Sequence, residues 1–280
     1  MFDRIKRSFS LVRASAHILR QDHHLMLFPV LSAFALLFVV LAFALPVFGM
    51  HGIDGIGRGG AYSIAFLFYV IQYFVIIYFN VALVGAVMVR LDGGSPTLAD
   101  GLRVANSRIA AILGYAVISA TVGVLLRAIQ ERVGFVGRLI VGLIGASWAI
   151  ATFMVVPVIA TSDRNAVAAI GESGALLKRT WGENMAGQTG IGGAFALIYI
   201  GLAAIVCALA LLDLPFASGD SPVLFIALLM VIALALLACV LAHATLSGIY
   251  AAVLYRYAVD GSDTPGFDND ILVEAFEQKV

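Results

Sequence analysis

The sequence predicts an all-α membrane protein: a bundle of six transmembrane helices with amphipathic helices lying at one membrane surface. Three observations predict this fold class. Of the 280 residues, 62% are hydrophobic and only 12% are charged, whereas a soluble domain carries about 25% charged residues. Six almost charge-free stretches reach the length of about 20 residues that an apolar helix needs to cross the hydrocarbon layer. Lys and Arg are also distributed unevenly among the connections between these stretches.

The six stretches are expected to be helices rather than barrel strands. Backbone amides find no water inside lipid, so only helices and closed barrels span a membrane. Barrel strands alternate over about ten residues, and these stretches are longer and uniformly apolar. The first is too long for a signal peptide and is interpreted as an uncleaved span. The expected spans are about 25–48, 61–89, 109–130, 138–160, 186–212 and 222–255, within one domain over 1–258 and before a tail over 259–280.

The distribution of Lys and Arg predicts the orientation. Of the 17 Lys and Arg residues, only four fall on the side of the odd-numbered connections: Arg58, Arg127, Arg132 and Arg138. The other thirteen lie in the N-terminal segment, the even-numbered connections and the C-terminal part. Connections rich in Lys and Arg stay in the cytoplasm, so both termini are predicted to be cytoplasmic.

The N-terminal segment 2–20 is predicted to be an amphipathic helix in the headgroup layer. Its apolar residues recur at three- and four-residue steps: Phe2, Ile5, Phe9, Val12, Ala16 and Leu19. A basic amphipathic helix beside a span is attracted to anionic lipid. The residues expected to contact headgroups are Arg4, Lys6, Arg7, Arg13 and Arg20. Two interpretations stay open, a topology anchor and a site for a lipid or a partner.

Two further connections carry weaker amphipathic patterns, which raises the hypothesis of a threefold internal repeat. One begins after the start signal Ser95-Pro96-Thr97, and the other covers about 165–181. Each unit would contain an interfacial helix, an outward span and an inward span. The run from Ser15 to Arg20 is similar in character to the run from Ser173 to Lys178. The hypothesis depends on pattern rather than on identity.

No catalytic constellation is visible. The cores of the six expected spans contain no Asp or Glu, and phosphate-binding, metalloprotease and nucleophile-elbow motifs are missing from the sequence. Cys207 and Cys239 lie in apolar runs and are interpreted as fillers. We therefore expect no enzyme, no metal and no cofactor. The equal numbers of basic and acidic residues argue against a nucleic-acid partner.

Four residues inside the expected spans are candidate ligand contacts: Gln72, Asn80, Pro157 and His243. The last three lie about twenty residues into the three inward spans, so each is expected near the inner edge of the hydrocarbon layer. They would form either a polar vestibule or ordinary hydrogen bonds between helices with a proline kink. Gln72 needs a hydrogen-bond partner, for which the candidates are Ser119, Thr121, Ser147 and Thr152.

Several short runs together resemble a known family. They are the run from Ser10-Leu11-Val12 to Leu19-Arg20, Leu27-Phe28-Pro29, Phe79-Asn80-Val81-Ala82-Leu83, Leu91-Asp92-Gly93-Gly94-Ser95-Pro96, Leu254-Tyr255-Arg256-Tyr257-Ala258, Gly261 and Pro265-Gly266-Phe267. The sequence thus resembles a family of prokaryotic multi-span membrane proteins known as a domain of unknown function. This resemblance implies a membrane location and a single all-helical unit, and it implies no activity and no site residues.

The leading hypothesis is a non-enzymatic membrane protein that binds or moves a small or lipid-like molecule, among membrane lipids and as a homo-oligomer. The alternative is a membrane scaffold that recruits a cytoplasmic protein partner through its interfacial helices and its tail. A membrane-embedded lipid enzyme is the weakest of the three, because no catalytic residues are visible.

Overall fold

The computed structural model describes residues 15, 18–49, 58–179, 181–211 and 222–260, and their regular structure is entirely helical. A 3-10 turn, His23–Met26, directly precedes the first complete α-helix. The nine α-helices of this part of the chain are α1 Leu27–Gly49, α2 Arg58–Leu91, α3 Leu98–Ser107, α4 Ile109–Gln130, α5 Phe135–Ala151, α6 Val155–Thr161, α7 Ala166–Arg179, α8 Trp181–Leu211 and α9 Pro222–Asp260. Six stretches, with α5 and α6 forming one, are long and apolar enough to cross a membrane. The predicted all-α fold with six spans is therefore confirmed.

Two of the spans are longer than a membrane requires. Helix α2 has 34 residues and α9 has 39, so at about 1.5 Å per residue they extend roughly 50 and 60 Å. The hydrocarbon core is only about 30 Å thick. Both helices therefore continue for several turns past the layer that they cross.

Two predicted segments fall largely beyond the described residues. Of the expected N-terminal helix 2–20, only residues 15 and 18–20 are described, and they are helical. The tail is described only to Asp260. The threefold repeat stays a prediction.

The buried core lies at one end of the bundle, which we call the base: the end where α2 and α9 finish and where α3 and α7 lie. Helix α2 is central and packs against α1, α3, α4, α6 and α9. Its residues 81–88 are all buried, and they meet the buried runs 154–155 and 157–160 before and within α6 and 249–255 of α9. Phe28 of α1 and Ala105 of α3 complete this core. Apolar burial is the main force that holds it together.

The spans are far less packed toward the opposite end, which we call the top. Each span has one most apolar stretch of 18 residues. Of the residues in that stretch, 56% are buried in α2, 6% in α8 and none in α9. Helix α8 packs chiefly against α9 and only slightly against α7. Because lipid tails are as apolar as these side chains, such faces are stable in contact with lipid. The α8–α9 pair is thus the most lipid-exposed part of the described bundle.

Helix α3 begins where the sequence predicts, at a capping box. The Thr97 hydroxyl accepts from the Asp100 N–H, and the Asp100 carboxylate accepts from the Thr97 N–H at 3.1 Å. Two N–H groups that lack helix partners are thereby satisfied. The Thr97 hydroxyl also donates to this carboxylate, and Arg103 lies beside it, so the pKa of Asp100 falls below its ordinary value.

The helices α3 and α7 each approach an even-numbered span through a small residue. A Cβ atom on Gly101 of α3 would lie 2.3 Å from the Ala82 carbonyl oxygen of α2, a separation that real Cβ atoms do not show. Only glycine fits this crossing. In α7, the completely buried Ser173 meets the fourth span at the junction of α5 and α6. The similarity of the two crossings is consistent with the repeat hypothesis.

Ion pairs join the helix ends at the base. Arg90 Nε lies 3.1 Å from Asp22 Oδ2, and Arg256 Nη2 lies 2.6 Å from Asp92 Oδ1. Arg108 also pairs with Asp163. Because these pairs are partly exposed, each contributes only about 0–1 kcal/mol, and their main effect is to fix which ends meet.

Candidate functional site

The fourth span is broken near the base, and a serine from α7 closes the break. Helix α5 ends at Ala151, and the turn over 152–154 separates it from α6. Ser173 Oγ accepts from the Met154 N–H at 3.1 Å and donates to the Ala151 carbonyl at 2.7 Å. This single hydroxyl thus satisfies a donor and an acceptor of the turn. Pro157, just beyond the turn, has no N–H for the helix bond to Phe153.

A cluster of hydroxyl groups surrounds this break. Tyr115 and Ser119 of α4 are buried, as is Thr152 in the turn. The Tyr115 hydroxyl faces both the Thr152 and the Ser119 hydroxyls, and Tyr73 of α2 lies nearby. Buried hydroxyls must be hydrogen-bonded to be tolerated. Ser119 and Thr152 were expected only as partners for Gln72. Their association with Tyr115 could not be predicted from the sequence, since spacing along one helix does not reveal a neighbour on another.

Gln72 is half-buried on α2, and three of its four expected partners donate their hydroxyl protons elsewhere. Thr121 donates to the Val117 carbonyl, Ser147 to that of Leu143 and Thr152 to that of Trp148. Each hydroxyl therefore bonds to its own helix one turn back, a common local alternative for Ser and Thr. Among the described residues, the Gln72 side chain has no hydrogen-bond partner.

Asn80 is half-buried on α2, eight residues below Gln72 and directly above the run of buried residues. Its neighbour Tyr78 reaches α3, where its hydroxyl donates to Asn106 Oδ1 at 2.8 Å. Asn106 is an exposed residue of α3, so Asn80 lies near the level at which α3 crosses α2. In the described part of the chain no side chain or backbone group bonds to the Asn80 amide.

His243 lies between α8 and α9 and is also half-buried. Its imidazole stacks on the Phe195 ring, with the centroids 4.6 Å apart and the planes 12° from parallel. The Tyr199 hydroxyl lies 3.3 Å from Nδ1. The described residues offer no partner to the second ring nitrogen, Nε2.

The structure brings Asn80 and His243 to a similar depth and places Pro157 lower. A Cβ atom on Gly248 would touch Leu83 Cδ2 of α2, so these two residues are level. At about 1.5 Å per residue, Asn80 then lies about 3 Å below His243. Thr161 donates to the Tyr255 hydroxyl, which sets Pro157 about two turns nearer the base than His243. Pro157 is also buried in the core and serves packing there.

Of the basic residues expected at lipid headgroups, Arg20 is exposed, just before the turn that leads into α1. Arg4, Lys6, Arg7 and Arg13 lie outside the described residues.

A single bundle of six spans, with interfacial helices and intramembrane polar groups at its base, defines a polytopic helical membrane protein. The chain belongs to the family of unknown function DUF6159, whose family model matches residues 60–266 and thus covers five of the six spans. This confirms the resemblance seen in the sequence at the level of the family. No curated protein and no solved structure matches the chain.

Proposed function

We propose that the protein binds a lipid-like molecule inside the membrane, at the base-side edge of the hydrocarbon layer, and holds or moves it there without acting as an enzyme. One observation carries this proposal. Asn80 and His243 lie at a similar depth, each is half-buried, and each retains polar atoms without a partner among the described residues.

The cost of an unpaired polar group supports the proposal. A hydroxyl or amide moved from water to an apolar medium without a hydrogen bond costs about 1–3 kcal/mol in proteins. Polar side chains within spans commonly mark the sites or pathways of ligands. A ligand whose polar head lies at this depth would supply the missing bonds to Asn80 and His243.

The apolar surroundings suit the remainder of such a molecule. Around His243, the α8–α9 pair exposes Leu197, Ile198 and Val240. An acyl or prenyl chain can lie along these side chains at no cost in free energy relative to bulk lipid. The proposed ligand therefore has one polar head and an apolar tail, and it is not a soluble metabolite.

The test measures the lipids that remain with the purified protein. The full chain and the variants Asn80→Leu and His243→Leu are purified in a mild detergent, and retained lipids are quantified by mass spectrometry. Both variants should retain less of at least one lipid species than the unaltered protein. The matched control is Tyr62→Leu, which removes an exposed polar aromatic group near the top and should change nothing. Identical retention in all four proteins would refute the proposal.

The orientation and the partners also stay proposals. From the distribution of Lys and Arg, we propose that both termini are cytoplasmic, and from the resemblance to a prokaryotic family, that the protein lies in the inner membrane of a prokaryote. The scaffold alternative stays a prediction, because the tail beyond Asp260 lies outside the described residues. The homo-oligomer also stays a prediction. Deleting the tail and comparing the captured partners tests the scaffold; unchanged partners would contradict it.

A further inference from the structure

The imidazole of His243 is held in a defined position by two aromatic side chains of α8. Phe195 covers one face of the ring, and Tyr199 occupies the Nδ1 edge. Phe195 and Tyr199 lie one helical turn apart, so they line the same face of α8. These two contacts fix the plane and the rotation of the ring, and among the described residues its Nε2 atom has no hydrogen-bond partner.

The surroundings also select one tautomer. A charged imidazolium is costly in an apolar layer, so the ring is neutral and carries one N–H and one lone pair. Among the described residues the Tyr199 hydroxyl has no acceptor other than Nδ1, and an undonated hydroxyl proton would be costly here. Tyr199 therefore donates to Nδ1, which places the imidazole N–H on Nε2.

The resulting N–H is a hydrogen-bond donor directed away from the bond to Tyr199. No described side chain accepts from it, and the neighbouring residues Ile198 and Val240 are exposed to lipid. An acceptor can therefore reach it from the membrane. The described side chains that contact the His243 ring are the uncharged Phe195 and Tyr199, so they offer no charge to pair with a phosphate.

We propose that His243, positioned by Tyr199 and Phe195, donates its Nε2–H to an uncharged carbonyl oxygen of a membrane lipid. This inference rests on the proposed function, since it specifies the chemistry of the polar head. Two kinds of lipid carry such an oxygen: a phospholipid, in its acyl ester, and a prenylated quinone, on its ring. Ester carbonyls lie at the edge of the hydrocarbon layer, the depth of His243.

The experiment observes the Nε2–H directly. The full chain is labelled with ¹⁵N-histidine and placed in nanodiscs, and the signals of His243 are identified among the five histidines by their loss in His243→Leu. Three bilayers are compared: a diester phospholipid, its diether analogue without carbonyl groups, and the diether analogue with a short-chain benzoquinone. We expect the Nε2–H tautomer throughout, and a downfield proton shift in a carbonyl-containing bilayer.

The outcomes distinguish a phospholipid from a quinone as the source of the carbonyl oxygen. They also distinguish a failure of this inference from a failure of the proposed function. A shift in the diester bilayer alone assigns the site to a phospholipid, and a shift with benzoquinone alone assigns it to a quinone. An Nδ1–H tautomer, or identical Nε2–H signals in all three bilayers, would overturn this inference. Lipid retention that still depends on His243 would then leave the broader proposed function standing.

A second variant tests the role given to Tyr199. Tyr199→Phe keeps the ring and removes only the hydroxyl, so the bundle should elute unchanged in size-exclusion chromatography. The variant should lose the single tautomer and show a smaller lipid-dependent shift. An unchanged tautomer in Tyr199→Phe would show that the hydroxyl does not position His243.

Discussion

Ser173→Ala tests whether one hydroxyl stabilises the broken fourth span. The substitution removes the acceptor of the Met154 N–H and the donor to the Ala151 carbonyl. Ser173 is completely buried, so water cannot replace it. An orphaned buried donor costs about 1–3 kcal/mol, and the carbonyl adds roughly 1 more. We expect the free energy of unfolding to fall by about 2–4 kcal/mol.

The assay is reversible unfolding in mixed micelles, with SDS as denaturant and tryptophan fluorescence as signal. Ser147→Ala is the matched control: Ser147 is exposed, and its hydroxyl bonds only to the Leu143 carbonyl of its own helix. This control should change stability by less than about 0.5 kcal/mol. Equal effects of the two substitutions would refute the reasoning, because they would show that closing the break adds no stability.

Three further predictions concern the base and the topology. Gly101→Ala should destabilise the bundle by about 1–3 kcal/mol through overpacking. The control Gly171→Ala, which has open space around it, should be neutral or slightly stabilising. Equal unfolding midpoints of the two variants would contradict this prediction. Because folding lowers the pKa of Asp100, its carboxylate stabilises the cap of α3 above pH about 4, and this contribution is lost as the pH falls through the folded pKa. Asp100→Asn should therefore flatten the acid side of a stability profile, and an unchanged profile would argue against the cap. In a cysteine-free background of intact cells, an impermeant maleimide should label Arg132→Cys but not Arg103→Cys; the reverse pattern would invert the proposed orientation.

The spans were predictable because run length and apolarity determine them. The expected 109–130 coincides with α4, and Thr97 was identified as a start signal by its place after Pro96. The position of α2 at the centre could not be predicted in the same way. All six runs are apolar around their whole circumference, so no polar face indicates which helix the others surround.

The candidate site was predictable in part. Gln72, Asn80 and His243 are conspicuous as polar residues in apolar runs, and all three are half-buried. The positioning of His243 by α8 was not foreseen, because Phe195 and Tyr199 look like ordinary apolar and interfacial residues in the sequence. Their role depends on the register between two helices, and no spacing within one helix encodes that register.

Because the packing between helices is concentrated at the base, insertion of the spans and their assembly into a bundle are separate steps. Most of each span, apart from α2, has few protein neighbours in its most apolar stretch, so each can enter the bilayer on its own hydropathy. Joining α2, α6 and α9 is then a distinct later step, completed by the small interfacial helices. A variant weakened at the base should still be fully inserted in the membrane but not assembled. Its substrate form for quality-control proteases would then be six separate helices within the membrane rather than an exported or soluble chain.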